Sequence, residues 1–144
     1  TGFWQIAQEG EIHSLHIGIQ KNSNTLKLFD TAHQFGMKYI LADEIFFENL
    51  PKIYKKIDEL ISSVDYLYLT ICMDVFNASI APGVSATAYN GIFADATFLL
   101  FYRHILKSEK LIALDVAEVN PEFDIAERTA RLAASLVNEW FMIS

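Results

Sequence analysis

Two short stretches of this 144-residue chain hold chemically capable residues at spacings that bring them together. Cys72 and Asp74 are two apart, so on an extended strand their side chains leave the same face. A thiolate and a carboxylate converging there could ligate a metal ion. The plainer role is a buried cysteine acting as a small hydrophobe beside an aspartate that caps the following loop. Spacing alone favours that role, because free cysteine is among the most buried residue types. Asp115 and Glu118 are three apart and leave opposite faces. Glu118 closes an apolar run, where a carboxylate is costly to bury without a partner. A structural ion pair and a functional charge explain it equally well. The histidines offer less. His13 and His16 share a strand at odd separation and cannot chelate one ion, and His33 and His104 fall on predicted helices. No His-Glu-x-x-His or His-x-His occurs, so all four read as structural. The glycines are too dispersed for a dinucleotide fingerprint or a P-loop, and no Gly-x-Ser-x-Gly elbow is present.

The elements that must hold these residues alternate strand and helix. Residues 13–20 read as a first strand, followed by a helix capped by Asn24, carrying Leu26, Phe29 and His33, and stopped at Gly36. Residues 39–43 form a short second strand. The next helix carries Phe46, Leu50, Ile53, Ile57 and Ile61 on one face, with Pro51 early, where a missing N–H is harmless. Residues 66–75 are a near-continuous apolar run, the pattern of a strand covered on both faces. A Pro/Gly-bearing loop leads to a helix predicted over 88–107, and residues 111–119 make the fourth strand, ended by Pro121. Asp124 and Glu127 have the spacing of a capping box for a last helix, with Ala126, Ala130, Ala133, Val137 and Trp140 as its apolar stripe. This order implies right-handed crossovers and a parallel sheet with helices on both faces, an α/β three-layer αβα arrangement. In such sheets ligands bind outside the carboxyl ends of the strands. Gln20-Lys21-Asn22, Asp43-Glu44, Cys72 with Asp74, and Glu118 all fall there.

Composition narrows the function classes. Hydrophobic residues make up 52% and charged residues 20%, which argues for a packed core and against disorder. A net charge of −7 with no Lys/Arg-rich run weighs against nucleic-acid binding. Cys72 is the one cysteine, so no internal disulfide can form; a reducing, cytoplasmic setting fits. The uncharged stretch 75–94 contains Pro82, Gly83 and two asparagines, so it reads as loop and helix start, with no membrane span. The opening Thr1-Gly2-Phe3-Trp4 reads like the middle of a fold, which suggests a fragment or a processed chain.

The stretch 69–86 (LTICMDVFNASIAPGVSA) resembles the Ser/Thr-x-Asp-x-Asp … Pro-Gly signature of the arginase, or ureohydrolase, superfamily. Ala81 to Ala86 is similar to the formimidoylglutamase branch, as are Gly18-Ile19-Gln20 with Asn24 and the opening Thr1-Gly2-Phe3. Residues 114–121 (LDVAEVNP) resemble the family's Asp-x-x-Glu-Val-Asn-Pro strand end. The resemblance implies an arginase-like fold and a binuclear manganese centre whose activated water attacks a guanidino or formimidoyl carbon. On it, Asp74 takes the place of a manganese-ligating carboxylate. Glu118 takes the place of the acid that pairs with the cationic amidine, so it is the candidate catalytic and substrate-binding residue. Cys72 stands where most members carry the metal-bridging aspartate.

The family's other ligand clusters do not occur in these residues, so the match is to a carboxyl-terminal portion, residues 1–144, of a single ureohydrolase-like α/β domain. The missing amino-terminal half is then an obligate partner, and the chain alone should be inert. The implied reaction is hydrolysis of N-formimidoyl-L-glutamate, a small amidine, to L-glutamate and formamide in histidine breakdown. An agmatinase, an arginase, or a non-catalytic member kept for binding or assembly are the alternatives. A homo-oligomer is compatible with each.

Overall fold

A computed structural model describes Gln5 and residues 13–143. Four strands and four helices alternate through them: β1 Leu15–Ile19, α1 Leu26–Gln34, β2 Lys38–Leu41, α2 Leu50–Ser62, β3 Leu67–Cys72, α3 Ala96–Leu106, β4 Leu111–Ala117 and α4 Arg128–Ile143. The strands form two parallel pairs, β1 with β2 and β3 with β4, and among the described residues no ladder joins one pair to the other. Both pairs nonetheless contribute to one buried cluster, through Ile40 on one side and Leu67, Ile71 and Leu111 on the other.

Alternation along the strands sorts the helices into layers. Ile40 of β2 is buried in that cluster with Ile53 and Ile57 of α2. Its neighbour Tyr39 leaves the opposite face, where the rings of Phe29 and His33 from α1 meet it at 5.4 and 5.9 Å. Helix α1 therefore covers one face, while α2 packs on α3 and α3 on α4 over the other. The expected α/β three-layer arrangement is present. Among the described residues no helix is long and apolar enough to cross a membrane.

Several local expectations need correction. The third helix begins at Ala96, well after residue 88. Residues 88–92 instead bridge back to the segment after β3, pairing Asn77 with Ala88 and Phe76 with Ile92. Asp95 then caps the helix by accepting from the Phe98 N–H at 3.0 Å. Asn24 does not cap α1: Thr25 holds that position, and the Asn24 amide donates to the Gln20 carbonyl. The Asp124/Glu127 capping box does not form, because Ala126 and Glu127 both take positive φ ahead of α4. Asp124 acts alone, accepting from the N–H groups of Ile125, Thr129 and Ala130 at 3.0 Å each. The buried residues of α4 are Thr129, Ala133 and Leu136: Ala133 is as expected, while Thr129 and Leu136 each stand one residue before the expected Ala130 and Val137. The helix stop at Gly36 and the early Pro51 stand as expected.

Candidate active site

β3 ends at Cys72, and residues Met73–Val75 turn sharply as a single 3₁₀ turn. Met73 and Phe76 are fully buried on either side of Asp74, with Phe76 edge-on to Phe98 at 5.2 Å. These two apolar anchors leave Asp74 half-buried at the sheet edge. In the ladder Cys72 pairs with Ala117, the last residue of β4. Glu118 follows at once, exposed and in the left-handed region with φ 65°. Asp74 and Glu118 thus lie at the same end of adjacent parallel strands, each within two residues of one ladder pair.

The loops that follow the two strands are fastened to each other. The Gly83 N–H donates to the buried Thr129 hydroxyl at 2.7 Å, and the Asn120 N–H donates to the Gly83 carbonyl at 2.7 Å. A Cβ on Gly83 would stand 2.5 Å from the Cβ of Asp124, so only glycine admits this approach. Sequence patterning located Pro82-Gly83 as a loop but gave no sign that it docks under α4. Asp124, the centre of that junction, has its carboxyl held below the usual range. Desolvation opposes this, but the N–H groups of Thr129 and Ala130 outweigh it.

The charge environment at the strand ends falls on Cys72. Its thiol is pushed up to about 12, first by burial, then by hydrogen bonding to and the charge of Asp74, with a further contribution from the charge of Glu118. Both carboxylates therefore act on one sulfur. Among the described residues no three His, Cys, Asp or Glu side chains converge to hold a metal ion.

The histidines lie elsewhere. His104 meets Asp58 at 2.6 Å and packs against Tyr54, His33 lies against Tyr39, and His16 is partly buried on β1, where burial lowers its pKa. A cleft of about 260 Å³ opens at the carboxyl ends of β1 and β2, lined by Gln20, Lys21, Asn22, Asp43 and Asn90, with Lys21 and Asp43 paired at 3.1 Å. Gly18 of β1 approaches Val75 closely, which sets this cleft beside the Asp74 turn. A larger hollow near Lys38, Tyr54 and Ser63 lies at the opposite, amino end of the strands, away from these carboxylates.

The Arginase family matches residues 1–143. The chain belongs to the arginase family. Among curated relatives, the formimidoylglutamase of Staphylococcus carnosus (strain TM300) is 43% identical over 142 residues, covering 97% of this chain and 45% of that protein. The formimidoylglutamase of Clostridium tetani (strain Massachusetts / E88) is 41% identical over 123 residues, covering 85% and 36% respectively. The crystal structure of formimidoylglutamase from Bacillus subtilis superposes with a TM-score of 0.91 at 24% identity, covering 99% of this chain and 46% of that one. Arginase from Bacillus caldovelox gives 0.72 at 21% identity, covering 88% and 42%. The chain spans less than half the length of these relatives, and the superpositions show that it has the arginase-like fold. The resemblance at Thr1-Gly2-Phe3 lies outside the described residues.

Proposed function

We propose that the whole protein of this arginase-family chain hydrolyses N-formimidoyl-L-glutamate to L-glutamate and formamide. Residues 1–144 form the carboxyl-terminal portion of its single α/β domain. The observation that supports the reading most is the Cys72–Ala117 pairing, with Asp74 two residues and Glu118 one residue beyond it at the carboxyl edge of the sheet, where ligands bind in open parallel sheets. The 41–43% identity to formimidoylglutamases supports that substrate over other amidines.

In the reaction a water oxygen bonds to the formimidoyl carbon and the bond from that carbon to the glutamate nitrogen breaks. The nitrogen takes up a proton and leaves as the amino group of L-glutamate, and the carbon keeps its second nitrogen as formamide. Glu118, exposed at the strand end, pairs with the cationic amidinium and orients it by a charge-assisted hydrogen bond. A divalent metal, manganese by the family resemblance, supplies a water of lowered pKa. Asp74 is the hard oxygen donor this chain offers such an ion. The sulfur of Cys72 is a soft donor that suits manganese poorly, so the remaining donors come from the rest of the protein. The setting is cytoplasmic, the partner a small molecule, and neither nucleic acid nor membrane enters the reading.

The test is turnover by the whole protein, loaded with manganese, of N-formimidoyl-L-glutamate, agmatine and L-arginine. Formamide release from the first alone is expected. Preference for agmatine or arginine overturns the substrate, and no turnover of any of them favours a binding or assembly role.

A further inference from the structure

Among the described residues three non-glycine residues take positive φ, Glu118, Ala126 and Glu127, and all lie between β4 and α4. A backbone held in this region persists only where its surroundings fix it from both sides. Before Glu118 the fixing element is the ladder, which ends with Cys72 on Ala117. After it, Val119 packs against the core, and the Asn120 N–H donates to the Gly83 carbonyl at 2.7 Å. Gly83 is itself clamped. Its neighbours Ala81 and Val84 are buried, and its N–H donates to the Thr129 hydroxyl oxygen at 2.7 Å. Thr129 is the one polar residue with no exposure among the described residues. Its hydroxyl also bonds to the Asp124 carboxylate, which accepts from the Thr129 N–H as well at 3.0 Å. One hydroxyl thus accepts on one side and donates on the other, which no apolar isostere of threonine can do.

We propose that Thr129 is a positioning residue for the reaction: through Gly83 and the Asn120 N–H it holds Glu118 in its left-handed conformation and so aims the carboxylate. This rests on the hydrolase reading above, in which Glu118 orients the amidinium. Both links are 2.7 Å long, and the Gly83–Thr129 link is buried, where a hydrogen bond is stronger than in water. Asn120 is two residues beyond Glu118, so freeing that anchor leaves only Val119 to hold the turn. A displacement of about 1 Å at a reacting group can lower the rate roughly a hundred-fold. If Thr129 served only to seat α4, its loss would lower stability without moving Glu118.

The experiment uses the whole protein, loaded with manganese, as wild type, Thr129→Val, Thr129→Ser, Glu118→Gln and the Thr129→Val/Glu118→Gln double variant. Each is assayed well below its melting temperature. Thr129→Val should lower kcat/KM on N-formimidoyl-L-glutamate roughly ten- to a hundred-fold. Thr129→Ser, which keeps the hydroxyl, should restore most of that loss. In the Glu118→Gln background Thr129→Val should cause no further loss, because residues that act as a unit are not additive. A crystal structure of Thr129→Val should show Glu118 out of the left-handed region. Losses that multiply in the double variant overturn the proposal, as does a Thr129→Val structure with Glu118 unmoved. Should Thr129→Val fail to fold, Thr129→Ala takes its place; failure of both overturns the proposal, since the residue would then serve folding alone. If wild type turns over no formimidoylglutamate, the substrate reading falls, and the conformation of Glu118 in the variant structure still decides the role of Thr129.

Discussion

The two strand pairs are built to different standards. Around β3 and β4, Phe76, Phe98, Phe101 and Tyr102 pack ring to ring with centroids 5.2 Å apart in successive pairs with Phe98, and the Tyr102 hydroxyl donates to the Leu136 carbonyl inside the core. Arg103 closes the α3–α4 seam with a bidentate grip on Glu139, and Lys110 donates to the carbonyls of Ile61 and Val64 at the end of α2. Around β1 and β2, α1 buries no residue, and its Leu26 and Leu28 are 84% and 49% exposed. Helix α1 is ordered by its own turns and by the rings on Tyr39, whereas α3 is ordered by burial. The region that carries Asp74 and Glu118 is the one whose position the core dictates.

The contrast can be broken or sharpened by substitution in the whole protein. Phe98→Ala should cost about 3–5 kcal/mol, read as a lowered denaturation midpoint, because the ring touches three others in the core. A loss near zero would mean that the β3–β4 half is no better packed than the other. Glu118→Gln should reduce kcat/KM on N-formimidoyl-L-glutamate roughly ten- to a hundred-fold, with the melting temperature unmoved. Unchanged kinetics would remove the exposed carboxylate from the reaction. Thr129→Val strips the acceptor from the Gly83 N–H and should cost about 1–3 kcal/mol, with a loss of activity as the two strand-end loops come apart. If activity survives while stability falls, the junction supports the fold and not the site. Leu26→Ser should change stability by less than about 0.5 kcal/mol. Amide exchange in α1 should be faster than in α3. Comparable protection in the two helices would show that something in the whole protein covers α1.

What the residue pattern conveyed well was periodicity: the apolar runs gave four strands, and 3.6-residue spacing gave Leu50, Ile53 and Ile57 as the buried stripe of α2, although Phe46, expected on the same face, precedes the helix and is exposed. What it conveyed poorly was competition between local and tertiary hydrogen bonding. Ala88 to Ile92 has the composition of a helix start but is drawn into bridges with Phe76 and Asn77. Asp124 and Glu127 have the spacing of a reciprocal cap, yet the turn through Ala126 and Glu127 satisfies three N–H groups with Asp124 alone. At the candidate site, the placement of Asp74 and Glu118 at the carboxyl ends of β3 and β4 was legible because strand ends are legible. The buried Oδ1 of Asp115, which no donor reaches among the described residues, was not, since spacing along a strand says nothing of which oxygens find a donor.

Glu118 stands in a left-handed backbone conformation, which costs a non-glycine residue about 1–2 kcal/mol relative to glycine. Folding and the proposed chemistry therefore pull this position in opposite directions. A variant library screened only for thermal stability would be drawn toward glycine or asparagine at 118 and would lose the carboxylate in the process. One screened for turnover would retain it against that gradient. The residue that wins in each screen is thus a readout of what the position is selected for, obtained without resolving any ligand.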